Sequence, residues 1–159
     1  MPTAPASPSV QEQYAPRSTC FGCGPANRHG LRIRSFPSGE DLVAVWTPEP
    51  HHQAFEGVVN GGVIGTLFDC HCNWTAAWLL MKRAGTDVPP ATVTAEYAVR
   101  FKRPAPSGGP LTLRAHAVET RDDRATIEAT LEANGVVCAT CRGTFVAVRP
   151  DHPGYHRWE

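Results

Sequence analysis

The sequence predicts an α+β fold in which an antiparallel sheet packs against one long helix. Two observations carry this. After residue 90, four runs of period-two alternation follow one another with short turn-rich breaks. Ahead of them lies one uninterrupted helical stretch, residues 62–82, free of proline. A chain of 159 residues suggests a single domain with a proper core.

The elements follow in chain order. Residues 1–19, rich in Pro, Ala and Ser, read as a flexible N-terminal arm. Residues 20–30 are turn-rich, and two short extended segments follow, Leu31–Phe36 and Leu42–Thr47, split by Pro37-Ser38-Gly39. Residues 51–62 read as a loop. The helix 62–82 is apolar nearly all round, which marks it as buried. The first strand after it alternates Val93, Ala95, Tyr97, Val99 and Phe101 with Thr92, Thr94, Glu96, Ala98 and Arg100. Runs over Leu111–Ala117, Arg124–Leu131 and Val136–Val148 complete the set, with Asn134-Gly135 as a hairpin turn between the last two. Short connections make these strands antiparallel. The expected organisation is an arm over 1–19, a domain over 20–148 and a tail over 149–159.

Composition removes several classes of function. The chain is 42% apolar and 19% charged, as expected of a globular protein. Lys plus Arg is 15 and Asp plus Glu is 15, so no overall basic surplus favours nucleic acid or a polybasic membrane contact. No apolar run is long enough to span a bilayer, and the start lacks the apolar core of a secretory signal. The expected compartment is cytoplasmic. A neutral chain also tends to self-associate near pH 7.

The helix carries the candidate chemistry. At 100° per residue, Gly62, Thr66, Asp69 and Asn73 fall within about 60° of one another, a polar stripe on a buried helix. A carboxylate there needs a partner or a function. One reading is a structural Asp69 bonded to Asn73 or a backbone group; the other is a catalytic acid. Asn60-Gly61-Gly62 places a capping residue before two glycines, so the first free amides of the helix can cradle a developing oxyanion. Eight residues separate Gly61 from Asp69, about 12 Å along the axis. One chain cannot easily bring both to one carbonyl, whereas a second copy with its helix antiparallel can. A catalytic site would therefore be shared across a homodimer.

The block Gly57-Val58-Val59-Asn60-Gly61-Gly62, followed by Asp69, resembles the hotdog-fold acyl-CoA thioesterases of the phenylacetic-acid-pathway (PaaI) type. That family reads G-x-x-H-G-G, with an acid nine residues after the His position, as Asp69 stands to Asn60. Phe101-Lys102-Arg103-Pro104-Ala105 also looks like the end of the family's first strand after the helix. The resemblance covers roughly residues 20–148. It implies a sheet wrapped around one central helix and hydrolysis of acyl-CoA or a related thioester to an acid and a free thiol. Asp69 would be base or nucleophile, and the Gly61 amide would polarise the carbonyl across a dimer interface. Thr94 matches a position where some relatives place a hydroxyl near the attacking water. Gly62, Thr66 and Asn73 would line the substrate, and Arg100, Lys102 and Arg103 would meet the CoA phosphates. The resemblance implies no required cofactor, no metal in the site, and a homodimer or a dimer of dimers.

Asn60 stands where the family most often has His. Asn can cap a helix but cannot shuttle a proton at neutral pH. Two other readings therefore remain open: a non-catalytic acyl-CoA binding module and a hotdog hydratase or dehydratase.

Six cysteines invite a metal reading. Cys20-Phe21-Gly22-Cys23-Gly24 has the look of half a zinc knuckle, and His152 and His156 have the spacing of a second half. Together they would clamp the chain ends. Cys70 and Cys72 read as packing cysteines in the helix. Reduced thiols and a loose tail are the favoured alternative to zinc at Cys20, Cys23, His152 and His156.

Overall fold

The structure, a computed structural model, describes residues 7–159. The elements run α1 (Val10–Tyr14), β1 (Ser35–Ser38), β2 (Asp41–Trp46), a single 3-10 turn (Pro50–His52), β3 (Gln53–Phe55), β4 (Val58–Val59) and α2 (Gly61–Ala84). They continue with β5 (Thr92–Phe101), β6 (Leu111–Thr120), β7 (Arg124–Ala133) and β8 (Val136–Ala147). Six strands form one antiparallel sheet in the order β1-β2-β6-β7-β8-β5, and β3 and β4 form a separate small hairpin. The sheet wraps α2, as the resemblance implies.

Alternation dictates the sheet. In β7, Ala125, Ile127, Ala129 and Leu131 face the helix and are buried, while Arg124 is exposed. Leu111, Leu113 and Ala115 do the same in β6. Asn134 and Gly135 both take the left-handed conformation, with φ of 53° and 77°, which a tight hairpin turn of matching twist requires. From α2, Leu67, Phe68, Trp74, Ala76 and Ala77 fill the space between helix and sheet. No helix among the described residues is long and apolar enough to cross a membrane.

Three expectations need correction. The first is the extent of the flexible arm. Residues 1–6 lie outside the described residues, but Ser9 caps α1 in a full capping box with Glu12. Gln11 is buried and exchanges hydrogen bonds with Ser35: its Nε2 donates to Ser35 Oγ at 2.9 Å, and its Oε1 accepts from Ser35 N at 2.8 Å. The second is the loose tail. Trp158 stacks on Trp74 with ring centroids 4.2 Å apart and donates to Pro90 O at 3.0 Å. A large apolar ring next to an uncovered core surface docks, whatever the polarity of its neighbours. The third is the strand at Leu31–Phe36, which begins only at Ser35. Leu31 N and Ile33 N instead donate to Phe21 O and Gly22 O, at 2.8 and 3.0 Å, so the preceding segment pairs with the turn-rich loop.

Candidate active site

The polar stripe of α2 faces β5, and the two run in opposite directions. Asn73 Nδ2 donates to Thr92 O at 3.2 Å, and Thr94 Oγ1 donates to Asp69 Oδ1 at 2.6 Å. Further along, a Cβ at Gly65 would sit 3.4 Å from the Tyr97 hydroxyl, and one at Gly61 would sit 3.5 Å from the Phe101 ring. Each turn of helix thus meets the next position along the strand.

A bulge in β5 makes this possible. Thr94 lies opposite Phe145 and Tyr97 opposite Gly143, with the register shifting between Thr94 and Glu96. Strict alternation would put Thr94 and Tyr97 on opposite faces. The extra residue, Ala95, brings both to the helix side. The expected division of β5 into an apolar inner and a polar outer set therefore fails before the bulge: Thr92 is fully buried and Thr94 faces Asp69.

Asp69 is partly buried, and burial is the main force raising its carboxyl above the usual range. The Thr94 hydroxyl and, at longer range, the Arg157 guanidinium oppose that rise, while Cys20 adds to it. Arg157 sits here because it donates to Thr92 O at 2.8 Å. Nothing in the spacing of the sequence signals Arg157, since only the docked tail brings it near. Tyr97, whose hydroxyl is also pushed up by burial and by Asp69, is a second neighbour the sequence analysis did not single out. Its place in the alternating apolar set already pointed it towards the helix.

At the helix start Asn60 is the N-cap. Its Oδ1 accepts from Val63 N at 3.1 Å, and its own amide donates to His52 O at 2.9 Å. The side chain is thus spent on the helix. Gly61 and Gly62 are exposed. Thr66 Oγ1 donates back to Gly62 O at 3.0 Å. Asn73 is buried, and its Oδ1 has no partner among the described residues; neither has Thr92 Oγ1.

The three basic residues do not form one cluster. Lys102 and Arg103 are exposed just beyond Phe101, on the side of the Gly61 helix end, and their amides donate to Cys138 O. Arg100 instead lines a concavity on the outer sheet face with Arg114, His116, Glu128 and Arg142.

The zinc set also changes. His152 Nδ1 accepts from Gly154 N at 3.0 Å and His156 Nδ1 lies 2.8 Å from Glu159, so both are engaged within the tail. The residue that joins Cys20 and Cys23 is Cys70 of α2, with the three sulfurs within 4.8 Å of one another.

Residues 56–139, a little over half the chain, match the family model of the thioesterase superfamily. The chain belongs to the thioesterase superfamily. A thioesterase superfamily protein from Shewanella loihica PV-4 is 30% identical, with a TM-score of 0.63, and the match covers 79% of this chain and 98% of that one. Two more distant structures share the hotdog fold. A phenylacetic acid degradation-related protein from Ralstonia eutropha JMP134 is 19% identical over 74% of this chain and 86% of that one, with a TM-score of 0.62. A Bacillus halodurans protein solved with CoA is 21% identical over 75% and 76%, with a TM-score of 0.61. No curated protein matches the chain.

Proposed function

We propose that this thioesterase-superfamily protein hydrolyses acyl-CoA thioesters to a carboxylic acid and free CoA. The observation that carries the reading is the Asp69–Thr94 pair at the middle of α2. It is a half-buried carboxylate with a raised pKa and a hydroxyl 2.6 Å away. Asp69 takes a proton from water as the water oxygen attacks the thioester carbonyl carbon. The carbonyl oxygen becomes an oxyanion held by a backbone amide. The C–S bond then breaks, and the thiolate leaves with the proton returned by Asp69. As a nucleophile, Asp69 would instead form an acyl anhydride that water opens.

The amide is that of Gly61 in a second copy. Within one helix the two residues stand about 12 Å apart. The outer edge of β5 is free among the described residues, with Tyr97 43% and Phe101 57% exposed beside it. Antiparallel pairing of two such edges would extend the sheet and set two α2 helices side by side in opposite directions. Each Gly61 end would then approach the other chain's Asp69. Lys102 and Arg103, at the Gly61 end, suit the CoA phosphates. CoA in the Bacillus halodurans relative supports this substrate class.

A non-catalytic acyl-CoA binding module is the second reading, favoured by Asn60, whose side chain is occupied in capping. The same occupation weighs against a hydratase or dehydratase, which needs a proton-shuttling partner for the acid. A thiol-release screen over short, medium, long and aryl acyl-CoAs separates them. Hydrolysis is expected from the wild type, with a loss of about 10²–10⁴-fold in Asp69→Asn. Saturable acyl-CoA binding without thiol release would establish the binding module, and water addition to an enoyl-CoA the hydratase.

A further inference from the structure

We propose that Cys20, Cys23 and Cys70 form a zinc site that staples the N-terminal loop to α2 beside Asp69. Three thiols converge: their sulfurs all lie within 4.8 Å of one another, with Cys23 and Cys70 buried and Cys20 half-buried. Cys20 Sγ and Cys70 Sγ are 3.8 Å apart. Two sulfurs each about 2.3 Å from a tetrahedral zinc stand about 3.8 Å apart. A disulfide would need about 2.05 Å. The Cys20–Cys70 spacing thus suits a shared metal and excludes a disulfide.

The loop is built for this. Gly24 N donates to Cys20 O at 2.8 Å, closing the turn that holds the two cysteines. That is how a knuckle turns two sulfurs towards one point. A Cβ on Gly22 would collide with Cys70 Sγ, and one on Gly24 would collide with the backbone of Cys20. The loop is therefore pressed onto the helix as closely as glycine permits. Trp74 Nε1 donates to Cys23 Sγ at 3.3 Å, an outer hydrogen bond of the kind that steadies a metal-bound thiolate.

A thiophilic dication of tetrahedral preference suits three sulfurs, and zinc is the redox-silent member of that class. Each thiol gives its proton to solvent as its S–Zn bond forms. Cys20 is the least buried of the three, so a fourth ligand from solvent, a water or small anion, would enter on its side. Cys70 follows Asp69 directly, so the metal would set the height and rotation of α2 at the carboxylate.

The test does not depend on acyl-CoA turnover. Full-length protein purified from zinc-supplemented medium is analysed for metal, and chelator-stripped protein is titrated with Co²⁺. Stoichiometric zinc and sulfur-to-cobalt charge-transfer absorption are expected. Cys20→Ser and Cys70→Ser should abolish both, while Cys138→Ser keeps them. Should those variants fail to fold, thiol titration of the wild type gives the same answer. Cys20, the half-buried member of the set, is expected to react only after chelator is added. A folded wild type without zinc or cobalt signal, thiols indifferent to chelator, a Cys70→Ser protein that retains metal, or a Cys20–Cys70 disulfide would each overturn the site.

Discussion

Replacing Thr94 with Val tests the proposed base directly. The Thr94 hydroxyl donates to Asp69 at 2.6 Å, a short bond to an ionisable carboxylate. Hydrogen bonds to charged groups contribute about 1.5–3 kcal/mol. Asp69 is only partly buried, so solvent screening leaves about 1–2 kcal/mol. Val keeps the shape and removes the donor. The bond favours the ionised form, so its loss raises the Asp69 pKa further. A general base must be ionised to act. The acid limb of kcat/KM for thiol release should therefore move to higher pH in Thr94→Val, and Thr94→Ser should restore it. The thiol cluster beside Asp69 is the same in both proteins, so its charge cancels in the comparison. An unmoved limb in a variant that still turns over would refute the role of Asp69 as the titrating base.

Four further outcomes are expected. His71 is fully buried and held at a pKa of about 4 by desolvation; Nε2 donates to Leu42 O at 3.0 Å and Nδ1 accepts from Ser35 at 2.7 Å. Its folded pKa lies below the unfolded value of about 6.5, so its share of stability is complete above that pH and is lost as pH falls towards 4. Urea midpoints should show about 2 kcal/mol lost between pH 8 and 5 in the wild type, and not in His71→Gln. Asn60→Ala removes the helix cap and should cost about 1 kcal/mol, read as a lower Tm. In Gly143→Ala the new Cβ would lie 2.9 Å from Tyr97 Cβ and from the Phe145 ring, and overpacking should cost about 1–3 kcal/mol by denaturant unfolding. Gly61→Pro removes the proposed donor at the first helical position, where proline is tolerated; mixing it with Asp69→Asn should restore thiol release if the site is shared, because one mixed interface regains both groups, and no recovery in a proven heterodimer would place the site in one chain.

The alternating runs made the four long strands and their turns legible, because a strand with one buried face must alternate. The long helix was legible for a similar reason: its apolar surface has nowhere to go except under a sheet. The Asp69 stripe followed from helical geometry alone. What stayed hidden depended on single-residue irregularities and distant contacts. The bulge at Ala95 reversed the facing of Thr92 and Thr94, and no periodicity announces one extra residue. The Ser9-x-x-Glu12 capping box was present in the sequence but lay in a segment dominated by Pro, Ala and Ser.

By itself, then, the sequence determined an α+β domain with one long buried helix, an acid nine residues after a glycine-flanked cap, and the insufficiency of one helix to bring acid and amide together. These are short-range properties, read from rise, period and turn chemistry. Tertiary structure decided which groups meet. Thr94 reaches Asp69 across the helix–strand seam, Arg157 arrives from a docked tail, and Cys70 replaces two histidines beside Cys20 and Cys23. These contacts span tens of residues along the chain. They depend on how the sheet curls over the helix and on the apolar rings that pin the chain ends to it.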